Sequence, residues 1–166
     1  MTTIAAAAAR AAQLLTARRQ TIAVAESSSG GLVSAALLAV PGASAYFLGG
    51  AVVYTAAARR ALLAIGEAEM AGLRPSTEPY AAMLARTVRD RFQADWGIAE
   101  SGAAGPAGNR YGDPAGHSCI ALCGPRTITA TVATGSADRA ANMDAFALAL
   151  LRLLADGLTA EPNGRP

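Results

Sequence analysis

The sequence predicts an α/β domain on a mixed, mostly parallel sheet with one antiparallel hairpin. Short apolar runs alternate with helical stretches, the pattern of strand–helix–strand units. Glycine-rich polar turns follow two of those runs, at residues 26–31 and 101–106. Two further apolar runs, 118–123 and 127–133, are separated only by Gly124-Pro125-Arg126 and read as a hairpin.

Residues 3–19 read as a helix, because alanine is the strongest helix former and Ile4, Ala8, Ala11, Leu14 and Leu15 share one face. Thr21-Ile22-Ala23-Val24-Ala25 suits a buried strand. Glu26-Ser27-Ser28-Ser29-Gly30-Gly31 is the turn behind it, and 32–40 the next helix, broken by Pro41-Gly42-Ala43-Ser44. Residues 45–48 and 51–54 read as two short strands around Gly49-Gly50. Residues 55–65 are helical with Gly66 as C-cap, and 67–71 form a single turn. Ser76 or Thr77 caps a helix that runs to Phe92, with Pro79 in its first turn. Residues 96–99 are a strand, 100–114 a long loop, and 143–158 the last helix, with a start as early as Asp138. The chain is expected to be one domain over residues 1–166, with its core at 5–158 and a flexible tail at 159–166.

Hydrophobic residues make up 52% of the 166 and charged residues 16%, the reverse of the balance that keeps a chain disordered. All 14 basic residues are arginine; the sequence has no lysine. They are scattered, and the net charge is +2, which argues against a nucleic-acid face. Cys119 and Cys123 fall on one strand face, too far apart for a disulfide, and with one histidine they make a zinc site improbable. They read as buried thiols, and the cytoplasm is the expected compartment. No stretch reads as a signal peptide or a bilayer span.

In α/β sheets the ligand crevice lies at the carboxyl ends of the parallel strands. Residues 26–31 and 101–106 both belong there. The first turn reads either as an anion cradle of backbone N–H groups or as ordinary N-capping by serine. It is not a Walker A loop, because the spacing and the lysine are both missing. The glycines of Ser101-Gly102-Ala103-Ala104-Gly105-Pro106 let backbone approach a ligand closely. Glu26 and Glu100 each end or follow a strand and could face the crevice or act as caps. His117 is the single histidine, and no Gly-x-Ser-x-Gly elbow is present.

Five segments occur in one order: 25–31, Pro41-Gly42-Ala43-Ser44-Ala45-Tyr46-Phe47, Gly50-Ala51-Val52-Val53-Tyr54, Ser76-Thr77-Glu78-Pro79, and 101–106. In this the chain resembles the CinA C-terminal domain family, the nicotinamide-mononucleotide amidohydrolases, over about residues 5–158, as a stand-alone version of the domain. The resemblance implies a three-layer α/β/α sandwich. It implies hydrolysis of nicotinamide mononucleotide to nicotinate mononucleotide and ammonia in pyridine-nucleotide recycling, with no cofactor and no metal. It further implies a nucleophile at Ser44, with Tyr54 beside it and a general-base lysine at the position of Arg59. Substrate contacts are implied for Ser27, Ser101 and Arg139, and the rest of the loops, Ser28, Ser29, Gly30, Gly31, Gly102 and Gly105, are expected to line the same site.

Amide hydrolysis by serine needs a proton acceptor, and a neutral lysine can serve. Arginine cannot, since guanidinium stays protonated. Loop N–H groups can hold an oxyanion, and the two-pronged donors of Arg139 suit a phosphate. Further departures from the family pattern are Ser28 and Ser29 for Cys-Thr, Glu100 for an apolar residue, His117 for threonine and Met143 for a second arginine. The alternative reading is a non-catalytic relative that binds a nucleotide or phosphate. The apolar helices suggest a homo-oligomer, and neither nucleic acid nor membrane is an expected partner.

Overall fold

The structure is a computed structural model and describes residues 1–161. Its elements are α1 (Ile4–Arg18), β1 (Ile22–Glu26), α2 (Leu32–Leu38), β2 (Phe47–Val52), α3 (Ala56–Leu63), α4 (Glu78–Phe92), β3 (Trp96–Ala103), β4 (His117–Cys123), β5 (Thr127–Ala133) and α5 (Arg139–Ala160). A 3₁₀ turn, Ala43–Ala45, leads into β2. The strands form one mixed sheet in the order β2-β1-β3-β4-β5. β2, β1 and β3 are parallel, while β3–β4 and β4–β5 are antiparallel, the latter being the expected hairpin.

Strand alternation sends side chains to two apolar layers. Val24, Ile98, Ile120 and Leu122 pack with α1, α2 and α5. Ala25, Ala99, Cys119 and Cys123 pack with α4 and with Leu63 and Ile65 around the end of α3. The result is a three-layer α/β/α sandwich. Both cysteines are buried and free.

Side-chain caps fix most helix starts. Thr3, Thr55, Thr77 and Asp138 each accept a backbone N–H from the first turn of α1, α3, α4 and α5. α2 is the exception: its N-cap is Gly31, at φ +99°, a left-handed conformation that glycine takes without strain.

Several boundaries differ from the sequence reading. Gly49 and Gly50 do not divide two strands; both lie inside β2. They are glycines because of close neighbours: a Cβ at Gly49 would sit 2.3 Å from a Phe92 ring carbon, and one at Gly50 would sit 2.5 Å from Ser34 Oγ. β3 likewise runs on through Glu100, Ser101 and Gly102, where a loop was expected, because β4 pairs with it as far as Ala103↔His117. A Cβ at Gly102 would sit 2.4 Å from the His117 carbonyl oxygen. Ala64, at φ +53°, rather than Gly66, caps α3. α5 continues to Ala160, so Thr159 and Ala160 are helical, not tail, and Glu161 pairs with Arg126 at 2.7 Å. The rest of the expected tail, 162–166, lies outside the described residues. Among the described residues no helix is long and apolar enough to cross a membrane.

Candidate active site

The carboxyl ends of β1 and β2 lie side by side. The Glu26 carbonyl accepts from Val53 N at 2.7 Å, which sets Tyr54 beside the 27–31 turn. β1 and β3 are in register at Ala25↔Ala99, so the turn also meets Ser101 and Gly102. α5 starts at the same edge: Arg139 donates to the Gly105 carbonyl at 2.6 Å and to the Tyr54 hydroxyl at 3.2 Å. Ser28, Tyr54, Gly102, Gly105, Asn109 and Arg139 enclose a cavity of about 180 Å³.

Two glutamates hold the serine turn from below. Glu26 is fully buried and its carboxylate accepts from Ser29 Oγ, Gly31 N, Val33 N, Ser34 N and Ser34 Oγ, at 2.8–3.1 Å. It therefore caps α2 in place of the side chain that Gly31 lacks. Glu100 is also fully buried, and accepts from Ser27 N at 3.2 Å, Ser29 N at 2.8 Å, Ser118 Oγ at 2.8 Å and Ser28 Oγ. Among the described residues neither carboxylate has a cation within salt-bridge distance. Neither sequence reading of this turn is what is observed: the helix start is capped, but by the Glu26 carboxylate and not by a serine. The amides of residues 27, 29, 31, 33 and 34 are taken by the protein's own carboxylates and do not await an external anion.

The three serines of the turn thus differ. The hydroxyls of Ser28 and Ser29 are committed to Glu100 and Glu26, while Ser27 Oγ has no hydrogen-bond partner among the described residues and Ser27 is half-buried. Ala23 and Ala25 of β1 lie on the α4 face of the sheet. Ser101 shares that face, buried, its Oγ accepting from Ser76 N at 3.2 Å. Ser76 is itself left-handed at φ +61°. Its carbonyl accepts from His117 Nε2 at 2.9 Å, so that nitrogen carries the imidazole proton. Burial raises the pKa of the Cys119 thiol, which lies 3.5 Å from the same carbonyl.

Arg59 sits half-buried on α3. One guanidinium nitrogen lies 3.5 Å from the hydroxyl of buried Tyr80, and its central carbon 5.9 Å from that ring's centre. Burial raises the Tyr80 pKa, and the Arg59 contact partly offsets this.

Ser44 is not part of the cluster. It is exposed and lies before β2, whereas Tyr54 follows β2. Six strand residues, each rising roughly 3.3 Å, separate the two, so within one chain Ser44 is at the opposite edge of the sheet. Gly30, exposed at φ +67°, shapes the turn without lining the cavity.

Asn142 was not anticipated. It is buried on α5, donates to the Ala104 and Ser136 carbonyls at 2.8 Å, and accepts from Thr134 Oγ1 at 2.5 Å, tying the 102–105 turn to the helix that carries Arg139. The sequence signal was a polar residue in helical phase with Phe146 and Leu150. A larger hollow of about 810 Å³ lies at the other edge, near Arg18, Arg89 and Glu161. α1, α4 and α5 all end there, and arginines at helix C-termini complement the helix dipoles. Among the described residues no group of three or more His, Cys, Asp or Glu could hold a metal.

A family model, the CinA C-terminal domain, matches residues 4–158. The chain belongs to the CinA C-terminal domain family. Among curated proteins, a CinA-like protein of Anaeromyxobacter sp. (strain Fw109-5) is 39% identical over 98 residues, which is 57% of this chain and 24% of that protein. A CinA-like protein of Synechococcus sp. (strain CC9902) is 48% identical over 48 residues, 29% of this chain and 12% of that protein. The matched stretches are thus at most a quarter of those CinA-like proteins. Among solved structures, a CinA superfamily protein from Klebsiella pneumoniae 700603 superposes with a TM-score of 0.89 at 26% identity, over 96% of this chain and 100% of that one. One from Enterobacter cloacae gives 0.87 at 30%, over 95% and 94%. The shared CinA fold therefore extends over nearly the whole chain.

Proposed function

We propose that this CinA-type domain hydrolyses the carboxamide of a pyridine nucleotide, nicotinamide mononucleotide being the first substrate to test, with Ser27 rather than Ser44 as nucleophile. The observation that carries the reading is the convergence of the serine turn, Tyr54, the 102–105 turn and Arg139 on one cavity. At about 180 Å³ the cavity is below the roughly 300 Å³ that encloses a drug-sized ligand, so it suits the carboxamide-bearing ring, with ribose and phosphate extending outward. The turn serine that lines this cavity is Ser28, whose hydroxyl is committed to Glu100; Ser27, next to it, is the turn serine whose hydroxyl is uncommitted, and on that ground it is taken as the nucleophile. Its oxygen bonds to the carboxamide carbon, ammonia departs with the serine proton, and water then cleaves the acyl ester to release the acid and restore Ser27. Arg139 is placed to direct a spare donor at an anionic group of the substrate.

A second reading is binding without turnover. It is favoured by one observation: Glu26 and Glu100 are saturated with donors, and the base position holds Arg59. Ammonia release from nicotinamide mononucleotide tests the first reading, with Ser27→Ala and Ser44→Ala alongside. Ser27→Ala should abolish release and Ser44→Ala leave it within about twofold of wild type. If Ser44→Ala abolishes it and Ser27→Ala does not, the assignment of the nucleophile is wrong. Calorimetric binding with no ammonia from wild type selects the second reading.

A further inference from the structure

We infer that Glu100 is a positioning residue for Ser27, holding the nucleophile turn against the sheet; the inference rests on the amide-hydrolysis reading for its kinetic consequence. A fully buried carboxylate without a cation persists where its oxygens are filled with hydrogen bonds, and those of Glu100 all come from the site's own frame. One oxygen takes the N–H groups of Ser27 and Ser29, so both ends of the three-residue turn are fixed to it. The other takes the hydroxyls of Ser28, on the turn, and Ser118, on β4. β3 places Glu100 on the α2/α5 side of the sheet with Ile98. The carboxylate thus grips the turn through its backbone and through Ser28, and leaves the Ser27 hydroxyl unbonded.

Four partners on two oxygens also explain why the residue is a glutamate rather than a glutamine. A glutamine has one acceptor oxygen and puts two N–H groups where donors already point. The hydroxyls of Ser28 and Ser118 can reverse, but the Ser27 and Ser29 amides cannot. Turned with its oxygen to the two amides, glutamine keeps both, but its NH₂ then meets the Ser28 and Ser118 hydroxyls, which must reverse and lose their acceptor in a buried site; turned the other way, it orphans both amides. Movement of about 1 Å at a nucleophile is enough to cost on the order of 100-fold in rate.

The experiment compares wild type with Glu100→Gln and with Tyr46→Phe. Tyr46 is a control for lost stability: its buried hydroxyl donates to the Leu37 carbonyl at 2.5 Å, away from the cavity. Glu100→Gln should lower kcat for ammonia release about 10- to 100-fold with KM within about twofold, while Tyr46→Phe changes neither. A second readout needs no turnover. Ser27→Cys places a thiol on the turn, and its alkylation by iodoacetamide is followed against pH, with and without Glu100→Gln. Loss of the neighbouring negative charge should move the alkylation midpoint to lower pH. If folded Glu100→Gln keeps the wild-type kcat and leaves the midpoint where it was, Glu100 does not act on residue 27 and the inference is overturned. If its kcat falls no further than that of Tyr46→Phe at matched stability, and the midpoint is unmoved, it is overturned equally. If wild type releases no ammonia but the midpoint moves, the inference stands and the amidase reading falls.

Discussion

Replacing Glu26 by glutamine tests whether a buried carboxylate, rather than an N-cap side chain, holds the start of α2. One Glu26 oxygen takes Ser29 Oγ, Gly31 N and Val33 N; the other takes Ser34 N and Ser34 Oγ. Glutamine puts an NH₂ at one of these two places. The serine hydroxyls can turn and accept from it, but backbone N–H groups cannot. The less costly orientation directs the NH₂ at Ser34 and orphans one backbone donor; the other orphans two. An orphaned buried donor costs about 1–3 kcal/mol, and losing the charge at a helix N-terminus adds about 0.3–2 kcal/mol. The combined loss is about 2–4 kcal/mol. A chain of this size shifts its Tm by about 2–4 °C per kcal/mol, so Glu26→Gln should melt about 5–15 °C below wild type. Thermal unfolding followed by circular dichroism measures this. A Tm within about 2 °C of wild type would show that α2 is not held by the Glu26 charge and that the occupied-amide description of the turn is mistaken.

Two other perturbations follow from the same geometry. Arg139→Ala removes the donors that meet Gly105 and Tyr54, and steady-state ammonia release should show KM raised about tenfold or more with kcat little changed. Glu78, in the first turn of α4, accepts from Thr129 and Thr131, and those bonds hold its carboxyl below the ordinary range. A depressed folded value gives stability that is present above the unfolded pKa, about 4.3, and is lost as pH falls through the folded value. Thr129→Val with Thr131→Val should therefore destabilise at pH 7 and converge on wild type in acid; parallel urea midpoints at both pH values would contradict this.

The elements that were legible in the sequence are those whose signal is local. α1 carries an alanine-rich apolar face behind Thr3, α4 has Thr77 and Pro79 at its start, and β5 is rich in Thr, Ile and Val. The misread strands turned on glycine. Gly49, Gly50 and Gly102 look like turn residues, yet each sits in a strand because Phe92, Ser34 or the His117 carbonyl comes too close for a Cβ. Those neighbours are distant in sequence, so the signal is tertiary. The site followed the same division. The two loops and Tyr54 converge because they follow β1, β3 and β2, which run parallel. Ser44 does not join them because it precedes β2, and the order of motifs along a chain does not say which edge of a sheet each one occupies. The roles of Glu26 and Glu100 depend on donors supplied by α2, the serine turn and β4.

The resemblance to the family puts the proton acceptor at position 59, so a substitution there tests the two functional readings. Arg59 is seated against Tyr80 and is a permanent cation, since guanidinium is not deprotonated in proteins. It can stabilise negative charge but cannot take the Ser27 proton. A lysine at the same place would bring a single amine beside a buried aromatic ring, where partial desolvation lowers its pKa and makes a neutral acceptor available. General-base catalysis contributes about 10²–10⁴ in rate, so Arg59→Lys should raise kcat at least about tenfold if the proton acceptor is the element in shortest supply. KM and the calorimetric affinity should move little, because Arg59 is not among the residues lining the cavity. The pH profile should also gain a limb rising with the deprotonation of the new amine. If ligand binds to both proteins and neither releases ammonia, the site binds without turning over, and the missing lysine is not what separates it from an amidase.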